Sequence, residues 1–149
     1  MEEKGPRKKK VLHVEDDILL ANMYERRLTR DGLEVTIAAD GQQAADMLHE
    51  GYRPDLILLD IMMPRLNGFQ LLQQLGADAK LKKIPVIILT NLLEDEESER
   101  RAREFGVKGY HVKSAVTLDD VAASVEKVIK ENPVPGEDEQ EKGLWKFYG

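Results

Sequence analysis

Cysteine is absent from the 149 residues. Disulfides, thiolate catalysis and cysteine-ligated metals are thereby excluded, and a reducing compartment is expected. Aromatics are scarce: one Trp, four Tyr and three Phe. No apolar run approaches the roughly twenty residues of a membrane-spanning helix. The opening residues are charged and lack the apolar segment of a secretory signal. Surplus positive charge is missing as well. The net charge is −6, whereas a nucleic-acid-binding face needs a concentrated basic patch. The one basic cluster, Arg7-Lys8-Lys9-Lys10, reads as part of a solvated leader over residues 1–9. These absences predict a cytoplasmic protein with no DNA and no membrane partner. What is present is a 42% apolar chain long enough for one domain with a real core.

Strand and helix patterns alternate, which predicts α/β architecture with a parallel sheet and helices on both faces. Val11-Leu12-His13-Val14 reads as the first strand. Leu20, Tyr24 and Leu28 mark the helix after it, which stops near Asp31-Gly32. Leu33 to Ala38 is the second strand, and Ala44, Ala45 and Leu48 face inward from a short helix. Asp55 to Asp60 is the third strand, followed by a helix carrying Phe69, Leu72 and Leu75. Pro85 to Thr90 is the fourth strand. A charged helix then runs from about Glu94 to Phe105, with Ala102 and Phe105 as its inner contacts. Gly109 to Val112 is the fifth strand. Leu118, Val121, Val125 and Val128 share one face of the last helix. Beyond Asn132 the composition shifts to Pro, Gly and acid, so residues 10–132 form the predicted domain and 133–149 an acidic, aromatic tail. Leu144-Trp145-Lys146-Phe147-Tyr148 within it is a frayed end or a segment that docks on a partner.

Asp60 is the most informative position. It ends an apolar strand, and a Pro and an Asn-Gly turn follow at once. A carboxylate there is not core, because burying an unpaired charge is costly. It points to the strand C-terminal edge, where open α/β sheets bind ligands. Glu15, Asp16 and Asp17 end the first strand on that edge, Thr90 the fourth and Lys113 the fifth. Carboxylates brought so close repel one another unless a cation compensates. An all-oxygen site with few carboxylates suits Mg²⁺, which then also holds a phosphate. Lys113 offers a point charge to a phosphoryl oxygen and Thr90 a hydroxyl. Asp60 is placed as the nucleophile, since carboxylates form aspartyl phosphates.

Val14-Glu15-Asp16-Asp17, Leu59-Asp60-Ile61-Met62-Met63-Pro64 with Asn67-Gly68, Ile88-Leu89-Thr90 and Gly109-Tyr110-His111-Val112-Lys113 together resemble bacterial response regulator receiver domains, the CheY-like family. The resemblance covers about Lys10 to Asn132. It implies a flavodoxin-like five-stranded sheet in the order 2-1-3-4-5 with five helices on two faces. It implies that Asp60 accepts a phosphoryl group from a sensor histidine kinase or a histidine phosphotransfer protein. Glu15, Asp16, Asp60 and the Met62 backbone carbonyl would hold Mg²⁺, with Asp17 capping a helix. Thr90 and Lys113 would bind phosphoryl oxygens, and Tyr110 would be the switch aromatic. The output is then a protein contact through the fourth helix, fifth strand and fifth helix, or phosphoryl relay. The chain would assist its own phosphorylation and act on no separate substrate, so it is not an enzyme in that sense. The tail is too short and acidic for a DNA-binding effector.

Departures from the family pattern carry expectations of their own. Ser114 follows Lys113 where the family has a cis-proline; a cis bond before Ser costs about 3–4 kcal/mol, so a trans bond and a differently aimed Lys113 are expected. Asn91 replaces a small residue and narrows access to the phosphoryl site. Met62 and Leu92 offer no group to orient water, which predicts slow self-dephosphorylation. The acids at 94–97 suit a helix N-terminus. His13, His49 and His111 lie on different elements and read as structural or surface residues. The competing reading is a degenerate receiver that binds a partner without phosphorylation. A flavin enzyme would need a Ser/Thr/Gly-rich phosphate loop after the first strand, where Glu15-Asp16-Asp17 stands. A haloacid-dehalogenase-type phosphatase would need an Asp at 62.

Overall fold

Apolar strands too short to stand alone must bury both faces, and helices on either side of a parallel sheet provide the cover. The computed structural model, which describes residues 7–63, 65–91 and 96–132, shows this arrangement. The elements alternate as β1 (Lys10–Val14), α1 (Ile18–Arg30), β2 (Glu34–Ala38), α2 (Gly41–His49), β3 (Leu56–Leu59), α3 (Gly68–Gly76), β4 (Val86–Thr90), α4 (Glu96–Glu104), β5 (Gly109–Val112) and α5 (Leu118–Glu131). Single 3₁₀ turns sit at Leu81–Lys83 and Lys113–Ala115. All strand pairs are parallel, in the order β2-β1-β3-β4-β5. The fold class and strand order are those expected.

Successive strand residues point to opposite faces, which divides the core in two. Leu12, Val14, Ile57, Leu59 and Ile88 pack with Ala44, Leu48, Leu72 and Ala102 under α2, α3 and α4. Val11, Leu56, Leu58, Ile87 and Leu89 pack with Tyr24 and Leu28 of α1 and Val121, Val125 and Val128 of α5. Helix starts are fixed by side-chain oxygens. Asp17 accepts from the Leu19 and Leu20 N–H groups, Asp40 from Gln43, and Asn67 and Thr117 form capping boxes, each satisfying donors a first turn leaves orphaned.

Element ends differ slightly from the sequence reading. β2 begins at Glu34 rather than Leu33, and β4 at Val86, after Pro85, which has no N–H for a ladder. Asp55 and Asp60 lie just outside β3. Phe105 is a correction. It is 40% exposed, because α4 stops at Glu104 and Gly106, at φ 83°, turns the chain. Val107 takes the inward place instead. Residues 94 and 95, Leu92, Pro64, the first six residues of the leader and the tail 133–149 lie outside the described residues.

Two glycines set the loops at the strand C-terminal edge. A Cβ on Gly41 would fall 2.0 Å from the Leu66 carbonyl oxygen. A Cβ on Gly68 would fall 2.6 Å from the Ile61 Cα and 2.7 Å from the Asp60 carbonyl oxygen. The β3–α3 loop is therefore pressed against α2 on one side, and α3 starts directly on the backbone of Asp60. Arg65 in this loop adopts a positive φ of 66°, unusual for a residue with a side chain, and its guanidinium pairs with Asp40.

Candidate functional site

Register brings the polar strand ends together. Val14 pairs with Leu59, so Glu15 and Asp60 emerge side by side; the Asp60 N–H donates to the Val14 carbonyl at 3.1 Å. Thr90 pairs with Val112, so Lys113 follows one residue beyond. Glu15, Asp16 and Asp60 each place a carboxylate oxygen within 4.8 Å of the others. Glu15 and Asp60 are buried, at 2% and 4% exposure, and Asp16 is exposed. Thr90 is fully buried at the end of β4. Tyr110 is half-buried and packs against the α2–α3–α4 core.

Lys113 joins the cluster. Its ammonium lies 2.7 Å from Glu15 Oε1 and 3.0 Å from Asp60 Oδ2. The Lys113–Ser114 bond is trans, no cis peptide occurring among the described residues. Lys113 reaches Glu15 as well as Asp60. The remaining oxygens are held by backbone: the Asp17 N–H donates to Glu15 Oε2 at 3.1 Å and the Met62 N–H to Asp60 Oδ1 at 3.1 Å. The latter bond turns the β3–α3 loop back onto Asp60. The Met62 side chain is 56% exposed, and Asn91 is exposed at the rim.

The electrostatics are unbalanced. Burial pushes the Glu15 carboxyl above its usual range, against hydrogen bonds from Lys113 and the Asp17 backbone, and the Asp60 charge pushes the same way. Burial opposes the Lys113 charge too, but its bonds to Glu15 and Asp60 win and hold its pKa above the ordinary lysine value. Three carboxylates against one ammonium leave a surplus of two negative charges. The donor set is all hard oxygen, the chemistry that fits a small divalent cation rather than a soft one.

Two features had weak signals in the sequence. His13, a polar residue inside an apolar strand, is 1% exposed and meets Tyr24 edge-on with ring centres 5.5 Å apart. Its Nε2 lies 3.9 Å from Glu15 Oε1. Burial, then the Lys113 charge, lowers its pKa to about 3, so it lies neutral beneath the acids. Arg65–Asp40 is the other, a tether that no spacing rule reveals. His111 bonds the Ser124 hydroxyl at 3.1 Å, and no histidine belongs to a candidate metal group among the described residues.

Residues 11–126 match the family model described as response regulator receiver domain. A probable transcriptional regulator, ycf27, of Cyanophora paradoxa is 36% identical over 128 residues, 85% of this chain and 51% of that protein. The chain spans about half the length of this curated relative. A Francisella response regulator receiver domain superposes with a TM-score of 0.74 at 29% identity, covering 83% of this chain and 98% of that one. The phosphorylated cyanobacterial phytochrome response regulator RcpA superposes with a TM-score of 0.71, also at 29% identity, over 82% and 91% of the two chains.

Proposed function

Because the chain belongs to the response regulator receiver domain family, we propose that Asp60 accepts a phosphoryl group from a histidine kinase or histidine phosphotransfer protein. The observation that carries this reading is the meeting of Glu15, Asp16 and Asp60 within 4.8 Å, with Lys113 bonded to two of them. An Asp60 carboxylate oxygen attacks phosphorus, the bond from phosphorus to the donor histidine nitrogen breaks, and that nitrogen keeps the electron pair and takes a proton. Glu15, Asp16, Asp60 and the Met62 carbonyl would hold Mg²⁺, which supplies charge neutralisation for the transferring group.

The chain's own residues do the rest. The Met62 N–H holds one Asp60 oxygen and so aims the other. Lys113 exchanges a carboxylate partner for a phosphoryl oxygen, and the Thr90 hydroxyl approaches the same group. Phosphorylation adds nearly two charges, which favours the arrangement that draws Lys113 and Thr90 together. Tyr110 and the adjoining α4–β5–α5 surface report the change to a downstream protein. With no polar atom on the Met62 side chain to orient water, loss of the phosphoryl group is slow. The chain assists this chemistry on itself and transforms no separate substrate.

No helix among the described residues is long and apolar enough to cross a membrane, and a cytoplasmic site of action accords with a kinase partner. The ycf27 relative is named a transcriptional regulator. The expectation of no DNA contact therefore concerns only the acidic residues present here. The test is intact mass after incubation with Mg²⁺ and acetyl phosphate. Wild type gains one phosphoryl group, and Asp60→Asn or a chelator prevents it. A gain that survives Asp60→Asn refutes the assignment.

A further inference from the structure

Helix α1 carries a stripe that its fold does not use. Met23, Arg26, Arg27 and Arg30 recur at helical spacing along one face and, with Leu118 at the start of α5, line a cleft of about 520 Å³. Arg27 is engaged, pairing with Asp31 and Asp119. Arg26 and Arg30 are exposed and make no ion pair among the described residues. Met23 is 40% exposed. The cleft thus offers an apolar floor edged by two uncommitted guanidinium groups. The neighbouring cleft on the same seam, about 330 Å³, mixes Lys9 and Lys130 with Asp31 and Glu126 and exerts no net pull on charge of either sign.

The tail has the complementary order of chemistry. Glu137, Asp138, Glu139 and Glu141 precede Leu144, Trp145, Phe147 and Tyr148. It leaves the fold at Asn132, at the end of the 14-residue α5, a helix about 21 Å long at about 1.5 Å per residue. From Asn132 to Leu144 the chain extends to about 40 Å at about 3.3 Å per residue, enough to return past Leu118. A tethered segment meets its site at an effective concentration in the millimolar range, so contacts too weak to hold a free peptide suffice.

We infer that the 137–148 segment of this same chain docks in the Met23–Arg26–Arg30–Leu118 cleft, its acids on the two arginines and its aromatic residues on Met23 and Leu118. Docking covers the outer face of α1, the helix that begins beside Glu15 and Asp16. The inference does not depend on phosphorylation.

Trp145 is the chain's sole tryptophan and reports on this contact in the full protein. Wild type should show blue-shifted emission and acrylamide quenching several-fold weaker than free tryptophan, unchanged across a wide range of protein concentration. The Arg26→Glu, Arg30→Glu double variant should shift the emission red and raise the quenching to the free value. Replacing the four tail acids by Lys, which leaves the described fold untouched, should do the same. Combining the two sets should restore the wild-type spectrum. Emission of a fully solvated tryptophan in wild type overturns the inference, as does a blue shift that neither charge reversal moves. A blue shift that appears only at high protein concentration also overturns it, since the occupant is then a second copy.

Discussion

Strand β3 is bracketed by two buried aspartates, and they are wired in opposite ways. Asp55, 3% exposed at the entry, meets only donors. The Lys10 N–H lies 2.7 Å from Oδ2, and the Arg7 guanidinium spans both oxygens at 3.2 and 3.3 Å. Asp60, equally buried at the exit, meets one ammonium and one N–H but also two other acids. The first carboxylate is satisfied and ties the strand to the chain ahead of β1. The second is under-compensated and retains a demand for positive charge. Burial alone does not separate a structural aspartate from a chemical one; the sign of what surrounds it does.

The sharpest break is at Asp60, the proposed acceptor. Asp60→Asn should abolish phosphoryl acceptance while leaving denaturant stability in chelator equal to or above wild type, because it removes one of three repelling acids. A large loss of stability would mean that Asp60 serves the fold as Asp55 does. Next comes Lys113→Ala. Without divalent cation it should cost about 3 kcal/mol by leaving buried acids without their counter-charge, and added Mg²⁺ should return part of this. A variant as stable as wild type in chelator would show that Lys113 does not balance the cluster.

Asp55→Ala should do the reverse of Asp60→Asn. It should lose about 2 kcal/mol, the cost of stranding buried donors, and still be phosphorylated by acetyl phosphate at the wild-type rate. A fall in that rate would erase the contrast between the two ends. The smallest effect near neutral pH is a pH slope, at most about 1.4 kcal/mol per pH unit. His13 is held near a pKa of about 3 against an ordinary 6.5, so between those values the unfolded chain binds a proton that the folded one refuses. This contribution to stability is lost as pH falls from 6.5 towards 3. Glu15, raised by burial, works in the opposite direction. Urea midpoints of wild type and His13→Leu compared at each pH isolate the histidine. Parallel curves would show that His13 is not neutral in the fold.

The sequence makes some of this contrast plain and hides the rest. Period and turn chemistry place all five strands, and the apolar faces of α1, α2, α3 and α5 point where expected, because burial writes itself into spacing. The acids and Lys113 fall on one edge because parallel strands share a direction. Asp55 gives no such signal. It looks like any polar residue opening a strand, and its partners lie 45 and 48 residues away. Phe105 reads as an inner contact because its spacing suits a helix that has already ended. His13 is visible in the sequence, but its neutrality comes first from burial and then from the Lys113 charge, which only the folded chain supplies.

Gly68 has a consequence that reaches the chemistry. With helix α3 resting on the main chain of Asp60 itself, one methyl group at this position would act as a wedge, prising residue 60 away from its neighbours while touching no carboxylate atom. The aim of the Asp60 carboxylate is thus set by a hydrogen atom standing where every other amino acid carries carbon.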